Sequence, residues 1–142
     1  LIRRRRRRGL APEAVVPALP PREAALAALD RAREAGLAER GEMTRFYTEI
    51  AAAVRGYLAA VEPAWGEDRT STEILGRVRA DAGPAVAAAL TPLLRAADQV
   101  KFARRAPTPE EALREWSEAR SWVEGFRWNE PESPGDEEGR AA

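Results

Sequence analysis

Between residues 20 and 128 the apolar positions recur three and four residues apart, and no stretch alternates strictly between apolar and polar. That spacing is the signature of helices with one buried side, so the pattern predicts an all-α domain. The clearest segment is GEMTRFYTEIAAAVRGYLAAVEP. Its residues Met43, Phe46, Tyr47, Ile50, Val54, Tyr57, Leu58 and Val61 fall on one stripe. The opposite side carries Ala52, Gly56 and Ala59 with few charges. A mid-helix glycine costs about 1 kcal/mol relative to alanine. A neighbouring helix packed closely on that smooth side would offset the cost, so this second helix is expected at the centre of the bundle.

Four other segments share the period. PREAALAALDRAREAG has Pro21 in its first turn, Gly36 just past its end, and Leu26 and Leu29 on its inner side. A shorter helix follows Thr70, which forms a capping box with Glu73 and directs Ile74, Leu75 and Val78 inward. The fourth opens at Pro84, with Val86, Leu90, Leu93, Leu94 and Ala97 on one side. Pro92 interrupts it, so this helix is either kinked or split near Leu90. The fifth has Thr108 as N-cap, Pro109 in its first position and Glu111 as capping partner, and its stripe is Ala112, Trp116, Ala119, Val123 and Phe126. Trp116, Trp122 and Trp128 recur every six residues, a rotation of about 240° each time, and cannot share a face. Trp116 lies on the stripe and Trp122 beside it. Trp128 points away if the helix reaches that far, either as an interface residue or folded back over the helix end. The whole reads as a compact bundle of four to five helices.

Composition narrows the function. At 142 residues the chain is one domain with tails. Its 23 basic and 23 acidic groups cancel, but unevenly. Residues 1–10 hold six arginines; residues 20–129 hold 16 basic and 17 acidic groups; residues 130–142 hold five acids and Arg140. The helical part therefore lacks the basic surface of a nucleic-acid-binding domain. There is no cysteine and no histidine, which removes thiol chemistry, the commonest general base and any ordinary zinc site. Ser71, Ser117, Ser121 and Ser133 have no activating base of the usual kind. The Glu110–Glu111 pair sits at a helix start, where the dipole favours acids. No glycine-rich phosphate loop is present. No catalytic residue, cofactor or metal is expected.

The opening stretch, LIRRRRRRGL, points to location. Leu1 and Ile2 read as the last residues of a membrane helix. Arg3, Arg4, Arg5, Arg6, Arg7 and Arg8 then form its cytoplasmic stop, as the positive-inside rule requires. Six such charges beside an anionic leaflet contribute at most about 6 kcal/mol. The alternative is a soluble helical protein with an arginine arm on nucleic acid, whose affinity would fall steeply with salt. The run contains no aromatic or amide side chain to stack on or read a base, so no nucleic-acid partner is expected. Pro12, Pro17, Pro20 and Pro21 make residues 9–21 a linker. The organisation expected is a juxtamembrane basic segment and linker at 1–19, a helical domain at 20–128, and an acidic tail without fixed structure at 129–142.

Asp98 and Lys101 are three residues apart and can pair on one helical face, with Phe102 beside them. A short ion pair at the end of the fourth helix and a binding role are the two readings. In order, FYTEIAAAVRGYL, RTSTEIL and ADQVKFARRAPTPEEA resemble segments of the cytoplasmic C-terminal region of bacterial BatD-like (Bat-type aerotolerance) membrane proteins and related membrane families of unknown function. The matching positions are Phe46, Tyr47, Tyr57, Leu58, Arg69, Thr70, Thr72, Ala97, Asp98, Val100, Lys101 and Phe102. The resemblance spans about residues 20–125. It implies a preceding membrane helix in the inner membrane, extracytoplasmic β-rich domains, and association with a MoxR-type AAA ATPase and von Willebrand A-domain proteins. The expected role is a non-enzymatic cytoplasmic protein-interaction domain of a membrane-anchored envelope protein, touching anionic lipid through Arg3 to Arg8. The candidate contact residues are Asp98, Lys101, Phe102, Trp122 and Trp128.

Overall fold

The structure, a computed structural model, describes residues 19–66 and 69–129. The arginine run, the linker up to residue 18 and the acidic tail from residue 130 lie outside the described residues, and with them the readings made of those segments. Five helices follow one another: α1 (Pro21–Glu34), α2 (Met43–Val61), α3 (Ser71–Ala82), α4 (Pro84–Lys101) and α5 (Pro109–Gly125), with a short 3-10 turn at Pro63–Trp65. No strand occurs among the described residues.

Local chemistry sets the helix ends. Proline occupies the first turn of α1, α4 and α5, where its missing N–H has no helical partner in any case. Both capping boxes form. The Thr70 hydroxyl accepts from the Glu73 amide (3.1 Å), and the Glu73 carboxylate accepts from the Thr70 amide (2.9 Å). Thr108 and Glu111 repeat the pattern at 3.1 and 2.9 Å, and the Thr108 amide holds the Glu111 carboxyl below the usual carboxylate range. Thr108→Ala is therefore expected to lower stability by about 1 kcal/mol. A denaturant midpoint that does not move would show that this cap contributes nothing. Between α3 and α4 the chain turns at Gly83, whose φ of 104° a side chain rarely adopts. α4 is one helix rather than two and runs through Pro92. The proline lies on the exposed side, and the preceding Thr91 hydroxyl donates to the Ala87 carbonyl (2.8 Å).

α2 is the central helix and packs against α1, α4 and α5. Phe46, Tyr47, Ile50, Val54, Tyr57 and Leu58 are buried, as the stripe requires. The reason for its central place differs from the sequence expectation. Ala52 is exposed and Gly56 half-buried, so among the described residues that side is not fully covered. Instead α1 and α4 flank it. Ala51 and Ala52 face Leu94 and Ala97 across one groove, while Ala52 and Ala53 face Ala24, Ala25 and Ala28 across another. No polar or charged residue is fully buried among the described residues.

Candidate functional site

Helix α5 stops at Gly125, and Phe126 is already extended (φ −76°, ψ 140°). Trp128 therefore does not project from a helix. It folds back onto Trp65, with ring centroids 5.0 Å apart, and its indole N–H donates to Glu62 (3.3 Å). Of the two readings of Trp128, the folded-back one holds. Trp122 is half-buried, stacked on Phe126 at 4.6 Å and edge-on to Tyr57 at 6.0 Å. Trp116 is in the core, with its indole N–H donating to the Leu29 carbonyl (2.7 Å). Arg22, near the start of α1, closes this end of the bundle. Its Nε donates to the Val123 carbonyl (3.1 Å), and its Nη2 donates to the Phe126 carbonyl (2.6 Å) and the Tyr57 hydroxyl (3.1 Å). These carbonyls belong to the last turn and end of α5, where helical partners run out. The start of α1 and the end of α5 therefore lie at the same pole.

α4 and α5 both lie against α2 and scarcely touch each other, so a groove runs between them. One section, about 340 Å³, is floored by Ile50, Leu93 and Ala96. The next, about 550 Å³, shares Pro92, Leu93 and Glu118 with the first and is walled by Ala89, Ser121 and Trp122. The first section ends at a clamp. Arg105 donates to both oxygens of Glu115 (3.1 and 2.6 Å), and the Tyr47 hydroxyl donates to Glu115 Oε1 (2.8 Å). Burial and the adjacent Glu115 carboxylate push the Tyr47 phenol well above its ordinary value, so it serves as a donor at any physiological pH. The clamp ties α2 and the α4–α5 connection to α5.

Asp98, Lys101 and Phe102 sit together at the end of α4. The ion pair does not form: no salt bridge joins Asp98 to Lys101 among the described residues, and the Lys101 ammonium lies 5.5 Å from the centroid of the Phe102 ring instead. Asp98 and Lys101 edge a second groove of about 580 Å³ between α2 and α4, with Thr48 and Arg55 opposite. Arg55 is held by the Ser71 hydroxyl (3.0 Å) and the Arg69 carbonyl. Phe102 is 63% exposed. The next residue, Ala103, has φ 60°, a left-handed conformation that costs a non-glycine residue roughly 1–2 kcal/mol. It occupies the turn that ends α4: its amide bonds to the Val100 carbonyl, and the Arg104 amide bonds to that of Gln99. Ala103→Gly is expected to stabilise the protein by about 1 kcal/mol, read as a higher melting temperature. A lower one would mean that the strain is absent.

The carboxylates that pair do so structurally. Asp30 accepts two bonds from Arg120 (2.9 and 3.0 Å), which hold its carboxyl below the usual range. Among the described residues no group of three or more His, Cys, Asp or Glu side chains converges as a metal site. No described helix is long and apolar enough to cross a membrane. Sequence reasoning did not single out Arg22, Trp65, or the Tyr47–Glu115–Arg105 clamp, whose partners lie up to 68 residues apart. Comparison with protein-family models, with curated proteins and with solved structures finds no match to the chain.

Proposed function

We propose that this chain is a non-enzymatic protein-interaction domain, held at the cytoplasmic face of a bacterial inner membrane by Arg3 to Arg8, that receives a helix of a partner protein between α4 and α5. The observation that carries the docking reading is the groove itself: an apolar floor of Ile50, Leu93 and Ala96, a tryptophan wall, and rims of mixed charge from Arg95, Arg114 and Glu118. An amphipathic helix fits such a groove through its apolar stripe, with its flanks meeting the charged rims. Trp122 is the residue type that dominates interface energies. The membrane reading rests on the arginine run and on a bundle close to neutral, −1 over residues 20–129. The likeness to BatD-like proteins suggests which partners to try: a MoxR-type ATPase and a von Willebrand A-domain protein.

The test uses the full chain and those two proteins in purified form. Ala89→Arg and Ser121→Arg place long side chains in the groove from exposed helical positions, so the fold should survive. Binding is expected to weaken roughly tenfold or more, the loss of about 1.4 kcal/mol or more, with an unchanged melting temperature. Binding that ignores both substitutions would refute the groove as the docking site.

A further inference from the structure

Helix α5 carries two arginine–glutamate pairs of the same order and spacing, and only one of them closes. Arg120 meets Glu124 at 3.0 Å. Arg114 and Glu118 are likewise four residues apart, yet among the described residues no salt bridge or hydrogen bond engages either of them. Both are exposed, and both edge the groove between α4 and α5. Ser117 and Ser121 lie on the same stripe of α5 and are small and exposed, so nothing there holds a neighbouring helix away. Across the groove α4 presents Ala89 and Pro92, exposed and uncharged. The charges choose between two ways of laying a second α5 along this stripe. A parallel copy sets arginine against arginine and glutamate against glutamate. An antiparallel copy sets each Arg114 against the other copy's Glu118. A two-fold axis at the level of residue 116, midway between them, makes that pair twice.

From this we infer that two copies of the chain pair through this face, each α5 lying antiparallel in the groove between the other copy's α4 and α5. Exposed ion pairs contribute little to affinity, so the Arg114–Glu118 contacts set direction and register. The association itself comes from covering Leu93, Ala89 and the exposed part of Trp122. With 17 residues, α5 is about 25 Å long and 10–12 Å across. Seated in this way it covers on the order of 500 Å² per chain, below the roughly 800 Å² of a stable pair. The dimer is therefore weak, and a partner helix with better contacts displaces it. The pairing covers the groove assigned above to a partner protein, but it does not rest on that reading.

Sedimentation equilibrium on the full chain reads the pairing directly. The native chain is expected to show a monomer–dimer equilibrium. Arg114→Glu and Glu118→Arg should each weaken dimerisation roughly tenfold or more, because symmetry turns both ion pairs into like-charge contacts. The double variant restores both pairs in reverse and should dimerise again. Both positions are exposed, so the melting temperatures at low concentration should stay close to the native one. The chain has no cysteine, which allows a second test of direction. In the antiparallel pair, residue 117 lies one residue from the axis, so its two copies are offset by about 3 Å along the helices. The two copies of residue 121 are offset by about 15 Å, beyond the roughly 7 Å between Cα atoms that a disulfide spans. Under mild oxidation Ser117→Cys should therefore cross-link and Ser121→Cys should not. A native chain that stays monomeric at about 1 mM, a dimer that ignores the single reversals, or a double variant that fails to recover would overturn the inference. So would equal cross-linking at the two positions. Dimerisation that follows the expected pattern while neither candidate protein binds would sink the partner reading and leave the pairing standing.

Discussion

Trp65→Ala is expected to lower stability by about 3–5 kcal/mol, the usual loss for a buried tryptophan. The residue has no exposed surface, although it lies in a three-residue turn rather than a long helix. Its ring meets Phe126 at 6.4 Å and Trp128 at 5.0 Å, and its indole N–H donates to Asp81 (2.9 Å). It therefore joins the turn after α2 to α3 and to the end of α5. Alanine would leave a cavity and deprive Trp128 of the surface it folds onto. Trp65→Phe keeps most of the ring and loses the indole bond to the solvent-accessible Asp81, so it should cost less, on the order of 1–2 kcal/mol, from that bond and the reduced volume. Denaturant unfolding of the three proteins decides the matter. An alanine variant within about 0.5 kcal/mol of the native chain, the range of an ordinary surface change, would mean that the turn is not part of the core.

Arg22→Met is expected to cost about 1.5–3 kcal/mol, the scale of hydrogen bonds made by a charged donor. Methionine preserves much of the aliphatic stem, so the loss reports the guanidinium. Without it the Val123 carbonyl loses its side-chain donor, and the Phe126 carbonyl keeps only Arg127 (2.9 Å) and a long bond from the Tyr57 hydroxyl (3.4 Å). Arg31→Met, on an exposed position of the same helix, should stay within about 0.5 kcal/mol. Amide hydrogen exchange in the last turn of α5 should rise in the first variant and not in the second. Equal behaviour of the two would mean that Arg22 does not hold the end of α5.

The local features of the fold were legible in the sequence because their causes are local. Thr70 with Glu73, and Thr108 with Glu111, satisfy amides of their own first turn, so a spacing of three residues suffices to find them. The α2 stripe follows from its period alone. Trp65 carried no such signal, since a three-residue turn has no periodicity. Trp128 depended on where α5 ends, and the expected stripe ran on to Phe126, one residue past the helix. Gly56 suggested a covering helix because a glycine penalty invites compensation. The structure places α1 and α4 on either side of it instead, which composition cannot distinguish. The groove between α4 and α5 was hidden for a different reason. It exists because two helices each prefer α2 to one another, and such a choice appears only once all the faces compete. The Asp98–Lys101 pair failed because a spacing of three permits contact without requiring it. The strained turn at Ala103 directs the chain onward from there, and the Lys101 ammonium lies near an aromatic ring instead.

The most direct test of the central claim, attachment to a membrane surface through Arg3 to Arg8, compares the full chain with a variant in which all six arginines are glutamine. Each is titrated against phosphatidylcholine vesicles with and without phosphatidylglycerol, and against duplex DNA. The native chain is expected to bind only the vesicles that contain phosphatidylglycerol, and the variant to bind neither. Any DNA affinity is expected to be insensitive to sequence, to be lost between about 50 and 200 mM salt, and to vanish with the arginines. Saturable, sequence-selective DNA binding at physiological salt that survives in the glutamine variant would contradict that claim.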